Sequence, residues 1–574
     1  MFNVKDHKTL YMFDPFDYLG PKRRKILDES WAGIFRDHVR HVLPVDLLLP
    51  YFSARMGRPT KELVALMGAM LLQHMHDLTD EETVAQFAFN IQWHYALDIT
   101  DISDKGAYVC PKSIWSMRSI MTKYGIYDSI FKVIGDEFIK IFDLDTSLQR
   151  IDSVHIFSNM KHLGRIGIFT KGIKDFLINL KRHYKSEFKE LDLSLRERYL
   201  KKAEESTFSL VKPSESTKTL HKVAEDLFFL INRFASHRSI PSMKTYATMA
   251  RILKEQCITE QDKATNEQRI SLKANKDIPS DSLQNPSDPD AGYSGHKGKG
   301  YQVQIAETYN REEGSGDLSL ITYVAVQAAH ESDAEALIPY IETTEQRGVK
   351  PTEALADTLY GGDDNHRAVL EKGVDLISPS LDRQKKLFCT LTDFAFDKDG
   401  FVSSCPETYQ PIKKSKKKDR YTIAFATEAC TACPRANHCP VKLGKKDLSY
   451  LRYDEKNVRL AQRRAYERSD DFKNKYRFRA GVEATMSQLD RRTGIKHLRV
   501  RGMQAVRFAA TMKAAALNII RAAAFRKRRN KGEKPPCPPL GRLNSLILIV
   551  KELLFRFFEK YARQQNNFAI FMKF

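Results

Sequence analysis

The sequence predicts an α/β protein, a mixed sheet with helices packed on it, and three observations predict it. "SLQRIDSVHIFSN" (Ser147 to Asn159) reads as one extended run. "GYQVQIAET" and "LSLITYVAVQAA" read as a hairpin across the turn-rich "YNREEGSGD". After them a helix pattern, "DAEALIPYIETTEQRG", alternates with strands at "EALADTLYGG" and "GVDLISPS". One strand, a hairpin, then alternating helix and strand is the order of a mixed α/β sheet.

Taken in order, residues 1–135 read as helical. "TKELVALMGAMLLQHM" (Thr60 to Met75) carries apolar residues at helical spacing behind the start signal Arg58-Pro59-Thr60. Thr79-Asp80-Glu81-Glu82 is a capping-box pattern opening a second helix, and "KSIWSMRSIMTKYG" after Pro111 is a third. A DNA-reading or dimerisation module fits this segment equally well. Residues 136–165 and 280–380 hold the strands of the core. Between them, residues 166–279 are rich in Lys, Glu and Leu at helical spacing and read as a helical insertion, ending in the polar linker "KDIPSDSLQNPSDPDAGYSGHKGKG".

Residues 381–455 change texture again, with Cys405, the basic run "KKSKKKDR" and "CTACPRANHCP". The spacing of Cys430 and Cys433 is that of a thiolate knuckle; Cys405 and Cys439, with His438 as a substitute, could complete a tetrahedral structural Zn²⁺ site. Reduced, unligated cysteines are the alternative. Cys110, Cys257, Cys389 and Cys537 show no partner spacing and read as packing or surface residues. Residues 456–526 supply the last core helices, including the apolar-faced "MQAVRFAATMKAAALNIIRAAAF". Residues 527–574 read as a basic linker followed by an amphipathic helix, "SLILIVKELLFRFFEKYA", whose Lys551, Glu552 and Arg556 argue against a membrane span.

Lys and Arg number 93 against 72 Asp and Glu, a net charge of +21, which favours a polyanionic partner, above all nucleic acid. The opening residues lack a basic-then-apolar leader pattern, so a cytoplasmic protein with reduced cysteines is expected. In this basic chain three acids stand out. Asp152 lies in a strand run where acids are disfavoured. Asp357 ends the apolar run Ala354-Leu355-Ala356 just before a glycine turn, where open α/β sheets build their sites. Glu483 stands among arginines in "YRFRAGVEAT"; on one helix, Tyr476, Arg479 and Glu483 would fall within roughly 60° of one another. Two aspartates on neighbouring strands and a glutamate from a packed helix would make an oxygen-ligand cluster suited to Mg²⁺ or Mn²⁺.

In these segments the sequence resembles the DDE transposases of bacterial insertion sequences. "RIDSVHIFSN" looks like their first-Asp strand, "LADTLYGGDDN" like the second-Asp segment, and "YRFRAGVEATMSQLDRRTGIKHLRVRG" like the helix with the Glu. "NPSDPDAGYSGHKGKGYQVQIAET" and the amino-terminal "GRPTKELVALMGAMLL" resemble one branch of such enzymes. The resemblance implies a ribonuclease-H-like core in which Asp152, Asp357 and Glu483 hold two divalent ions about 3.5 to 4 Å apart. It implies cleavage at transposon-end inverted repeats, then strand transfer into target DNA, by a homodimer on DNA associated with the nucleoid. Tyr476 and Arg479 match a Tyr-Arg-Glu signature as DNA contacts, whereas its fourth, lysine position is Asp490 here. Arg491, Arg492, Lys496, Arg499 and Arg501 would follow the DNA backbone. A metal-dependent nuclease that cuts without joining, or a non-catalytic DNA-binding regulator, are the competing readings.

Overall fold

The computed structural model describes residues 2–7, 12–57, 59–160, 163–200, 213–261, 268–311, 317–381, 389–444 and 446–531. Its strands, in chain order, are β1 (Leu148–Phe157), β2 (Cys257–Gln261), β3 (Gln268–Leu272), β4 (Gly292–Ser294), β5 (Gly298–Thr308), β6 (Ile321–Ala328) and β7 (Glu353–Leu355). They continue with β8 (Asp375–Ile377), β9 (Ala395–Phe396), β10 (Val402–Ser404), β11 (Lys413–Lys417), β12 (Arg420–Ala426) and β13 (Leu448–Asp454). The main sheet is mixed. β5 lies antiparallel to β1, and β6 antiparallel to β5. On the other side of β1, β7 and then β8 run parallel. The short β4, which the sequence reading missed, pairs with the first residues of β5.

Helices cover both faces of this sheet because both faces are apolar. One face, with Val154, Ile156, Val303, Ile305 and Val326, shares a single core with the helices Leu63–Met75, Ile126–Phe142 and Met503–Lys531. The other, with Ile151, Ala306 and Tyr323, packs on Leu337–Gln346 and Asp363–Glu371. The Leu63–Met75 helix is buried at every residue but His74, as a helix apolar all round must be. Its cap is Glu62, whose carboxylate accepts from the Val64 and Ala65 amides, so it starts three residues later than the Pro59-Thr60 signal suggests. Thr79 and Glu82 form the expected capping box.

The insertion departs from its all-helical expectation. The helices Arg165–His183, Ser216–Phe234 and Lys244–Gln256 enclose their own core, but β2 and β3 follow as an antiparallel hairpin packed on it through Ile270 and Leu272. The linker after it is tied down: Asp288, fully buried, accepts from Ser158 Oγ at 2.6 Å and from the Gly502 amide at 3.0 Å. A polar, Pro-containing composition marks irregular backbone and does not distinguish a loose loop from one held by a buried carboxylate. The cysteine-bearing segment builds the sheet β11-β12-β13 over a small core of its own.

Met503–Lys531 is long and apolar enough to cross a membrane, yet 78% of its apolar window is buried inside the protein. The basic stretch expected as a linker begins inside it. Arg526 is helical and donates to Asp37 Oδ2 at 2.8 Å, which anchors that end to the amino-terminal helices. The amphipathic segment "SLILIVKELLFRFFEKYA", and Cys537, lie outside the described residues.

Candidate active site

The register of β1 and β7 brings the two aspartates together. Arg150 pairs with Leu355 in the parallel ladder, and two residues further along each strand stand Asp152 and Asp357. Asp152 is therefore mid-strand, not at a strand end as Asp357 is; what ends at its level is the three-residue β7. That strand stops because Asp357 turns the chain. Its carboxylate caps the turn Thr358–Tyr360 by accepting from the Leu359 amide at 2.8 Å, while Ser378 Oγ donates to its carbonyl at 2.7 Å. Gly361 completes the turn, where a Cβ would stand 1.9 Å from the Pro379 carbonyl oxygen.

Tyr476, Arg479 and Glu483 do not share one continuous α-helix. Asp470–Tyr476 is one helix, Arg477–Ala480 is a 3₁₀ turn, and Glu483 lies in the first turn of Gly481–Thr493. The break follows from packing. A Cβ at position 481 would lie 2.0 Å from Arg150 Nη1, and the room left by glycine lets that arginine donate to the Phe478 carbonyl at 2.7 Å. Arg150 also donates to Glu307 at 2.8 Å; Glu307 is fully buried and accepts from Thr485 Oγ1 at 2.6 Å and Arg521 at 2.8 Å. This network clamps the Glu483 helix to β1 and β5. An acid inside the strand run "QIAET" was the signal available in the sequence, the same signal that singled out Asp152.

Arg479 lies at the centre of the acids. Its Nη2 donates to Asp152 Oδ2 at 2.7 Å and its Nη1 to Glu483 Oε1 at 3.1 Å, so one guanidinium spans two of the three carboxylates. Asp152 is 15% exposed and Glu483 66%. Burial pushes the Asp152 carboxyl above its ordinary range; Arg479 and the Ser153 amide oppose the shift, and Asp357 and Asp333 add to it. Burial would lower Arg479, but Asp152, Tyr476, Asp357 and Glu483 hold it above its usual value. The Tyr476 hydroxyl is pushed up by burial and its ring stacks on Phe472 at 5.3 Å. Among the described residues no three His, Cys, Asp or Glu side chains form a group that could hold a metal ion. The donor type does suit a hard cation: all three acids offer carboxylate oxygens, and those of Asp152 and Glu483 already converge on a positive group.

Beyond the acids the basic residues divide. Arg491 and Arg492 are exposed and line one open cleft with Arg150, Gln488 and Arg521. Arg501 is exposed too. Lys496 pairs with Asp490, the residue at the signature's lysine position, at 3.7 Å, and Arg499 donates to the Asp77 carbonyl at 2.9 Å. Two residues that the sequence did not single out stand near Asp152. Asp333, 8% exposed, accepts from Gln304 Nε2 at 2.7 Å, and Lys297 Nζ lies 3.2 Å from Ser153 Oγ and 3.9 Å from Asp333 Oδ2. Asp333 opens a helix in sequence and reads as a cap, which hides it.

The cysteines gather apart from the acids. Cys405, Cys430, Cys433 and Cys439 line one apolar cavity with Tyr409, Phe425 and Val441. Burial raises the Cys430 thiol, and Cys439, Cys405 and Cys433 push the same way. Cys389, expected as an isolated packing residue, lies against Cys439 and is pushed up to about 12 by burial and by that neighbour. His438 is exposed and lies outside the cavity lining. All the described cysteines are free thiols.

Comparison with known proteins adds the following. A family model described as a transposase DDE domain matches residues 404–523, and one described as a transposase domain (DUF772) matches residues 25–119. The first spans Glu483 and the four cavity cysteines; Asp152 and Asp357 lie outside both. Over 87 residues the chain is 24% identical to an endo-acting ulvan lyase of Formosa agariphila, which is 15% of this chain and 11% of that protein. So short a share carries no argument about activity. No solved structure matches the chain. The two transposase-domain matches support a DDE transposase of an insertion sequence.

Proposed function

We propose, with those two domain matches as premise, that this protein cleaves DNA at the ends of an insertion sequence and joins those ends to target DNA. The observation that carries the reading is Arg479, whose single guanidinium holds Asp152 and Glu483 while the β1–β7 register sets Asp357 at the level of Asp152. The strand order β6-β5-β1-β7-β8, antiparallel on one side of β1 and parallel on the other, supports a ribonuclease-H-like core. Around it we assign a helical DNA-binding or dimerisation segment before the core, a largely helical insertion and a cysteine-bearing insertion within it, and a basic tail after it, the β2–β3 hairpin and the helical start of the tail being departures from expectation.

Asp152, Asp357 and Glu483 would hold the divalent ions, Mg²⁺ or Mn²⁺. When bound, two such ions supply activation of the attacking oxygen and charge stabilisation of the leaving oxygen in an in-line displacement. Arg479, exchanged from the carboxylates, turns to a phosphate oxygen, for which a planar guanidinium offers two donors at once. Tyr476, braced by Phe472, stands beside it. Arg491, Arg492 and Arg501 follow the duplex backbone, and Lys496 and Arg499 contribute once released from Asp490 and Asp77. Cys405, Cys430, Cys433 and Cys439 would hold a structural Zn²⁺, their convergence on one cavity being the support. Transposon-end and target DNA are the partners, and bringing two ends together calls for a homodimer on DNA in the nucleoid of a bacterial cytoplasm.

The test is Asp357→Asn assayed with an inverted-repeat end duplex and a supercoiled plasmid. Metal-dependent cleavage and joined products should both vanish. Cleavage that survives the change removes the three-acid site. Wild-type cleavage without joining favours a nuclease, and binding without cleavage a regulator.

A further inference from the structure

We propose that Lys297 is a DNA-phosphate ligand of this site, its ammonium contacting the phosphate at the point of cleavage, with Asp333 as the residue that positions it. The proposal rests on the nuclease and strand-transfer reading above and adds a residue to it.

Lys297 sits on the turn between β4 and β5, flanked by Gly295 and Gly298, the latter at φ +94°. β5 leaves that turn close against the carboxyl-terminal half of β1: a Cβ at Gly300 would lie 2.0 Å from the Ile156 carbonyl oxygen. So close an approach lets a side chain from this turn reach the middle of β1. Nζ of Lys297 stands 3.2 Å from Ser153 Oγ, one residue from Asp152. Successive strand residues point to opposite faces, so Arg479 meets β1 at Asp152 from one side and Lys297 meets it at Ser153 from the other.

The lysine is also held in place. Gln304, opposite Ser153 in the β1–β5 ladder, donates to Asp333 Oδ1 at 2.7 Å and accepts from the Tyr360 hydroxyl. Its grip turns the second carboxylate oxygen of Asp333 toward Lys297 at 3.9 Å. That separation is loose for an ion pair, and the Lys297 side chain is 38% exposed, so its ammonium can take another anion without leaving its place. Asp333, by contrast, is fixed by a buried amide that a buried tyrosine holds in turn. A mobile cation over a fixed acid, at the strand residue next to Asp152, suits an oxygen of a phosphodiester.

The experiment uses the full chain and an end duplex carrying the inverted repeat that borders its own gene, unmodified or with one neutral methylphosphonate at the scissile position. Lys297→Ala should slow cleavage at saturating DNA by about 100-fold on the unmodified duplex. Lys297→Arg should recover most of that rate, and the slope of log affinity against log salt should fall by about 0.9 in the alanine variant. On the methylphosphonate duplex wild type and Lys297→Ala should perform alike. Circular dichroism melts verify folding, with Lys297→Gln substituting if the alanine variant melts early. Undiminished cleavage by Lys297→Ala, or an equal loss on both duplexes without rescue by arginine, overturns the proposal. Asp357→Asn run in parallel separates the two readings. If it is inactive while Lys297→Ala cuts normally, only the lysine's role fails; if it cuts, the three-acid site itself fails.

Discussion

Arg479 is the counter-ion of Asp152 and Glu483 and, on the proposed function, the competitor of a metal ion for them. In the chain without metal it neutralises Asp152, which burial has already made reluctant to ionise, and it draws in the more exposed Glu483. On the proposed function, replacing it with glutamine removes a cation that a divalent metal would have to displace. We therefore expect Arg479→Gln to bind Mn²⁺ more tightly in isothermal titration while cutting end DNA more slowly, since the phosphate loses its guanidinium. Weaker Mn²⁺ binding by the variant would mean that the arginine supports the metal site. Much of this scale was legible. Asp152, Asp357 and Glu483 stand out because an acid in an apolar run, or alone among arginines, needs a reason. Asp333 and Lys297 did not, because an acid opening a helix and a lysine in a glycine turn are ordinary at the surface.

Among the elements, the Glu483 helix depends on Glu307. Burial alone would raise that carboxyl, but Arg521, Arg150 and Thr485 hold it below its ordinary range. A depressed acid stabilises the fold above its unfolded pKa, near 4.5, and loses that contribution as pH falls through the folded value. Glu307→Gln leaves two arginines facing a neutral amide and should cost about 3 to 5 kcal/mol at pH 7 in denaturant unfolding. The gap to wild type should narrow below pH 4.5. A gap independent of pH would show that Glu307 acts through packing and not charge. Element types followed from local pattern: the capping box of Thr79 and Glu82 appears where the sequence marks it. The break at Arg477–Ala480 did not, since it answers to Arg150, more than 300 residues away in the chain.

For the whole molecule, the cysteine segment is a small fold beside the main sheet, with β11-β12-β13 over a core of its own. A core of that size gains from a staple. Purified protein should carry zinc in equimolar amount by elemental analysis, and Cys433→Ser should lower both zinc content and melting temperature. Protein free of zinc after purification without chelators would leave Cys389, Cys405, Cys430, Cys433 and Cys439 as unligated thiols. Sequence spacing found four of these five. Cys389 reaches Cys439 only through the folded segment, so spacing along the chain had nothing to say about it.

The sequence by itself determined the α/β class, the main core strands and the helices of the amino-terminal segment, and it marked three acids as candidates, because strand alternation, helical periodicity and capping are written in neighbouring residues. Only the tertiary structure decided that β7 lies beside β1 in the register that levels Asp357 with Asp152, that one arginine joins Asp152 to Glu483, and that Lys297 and Asp333 approach them. Those pairings span tens to hundreds of residues, and no local pattern encodes them. They are fixed by which apolar faces can be buried together, a property of the whole chain.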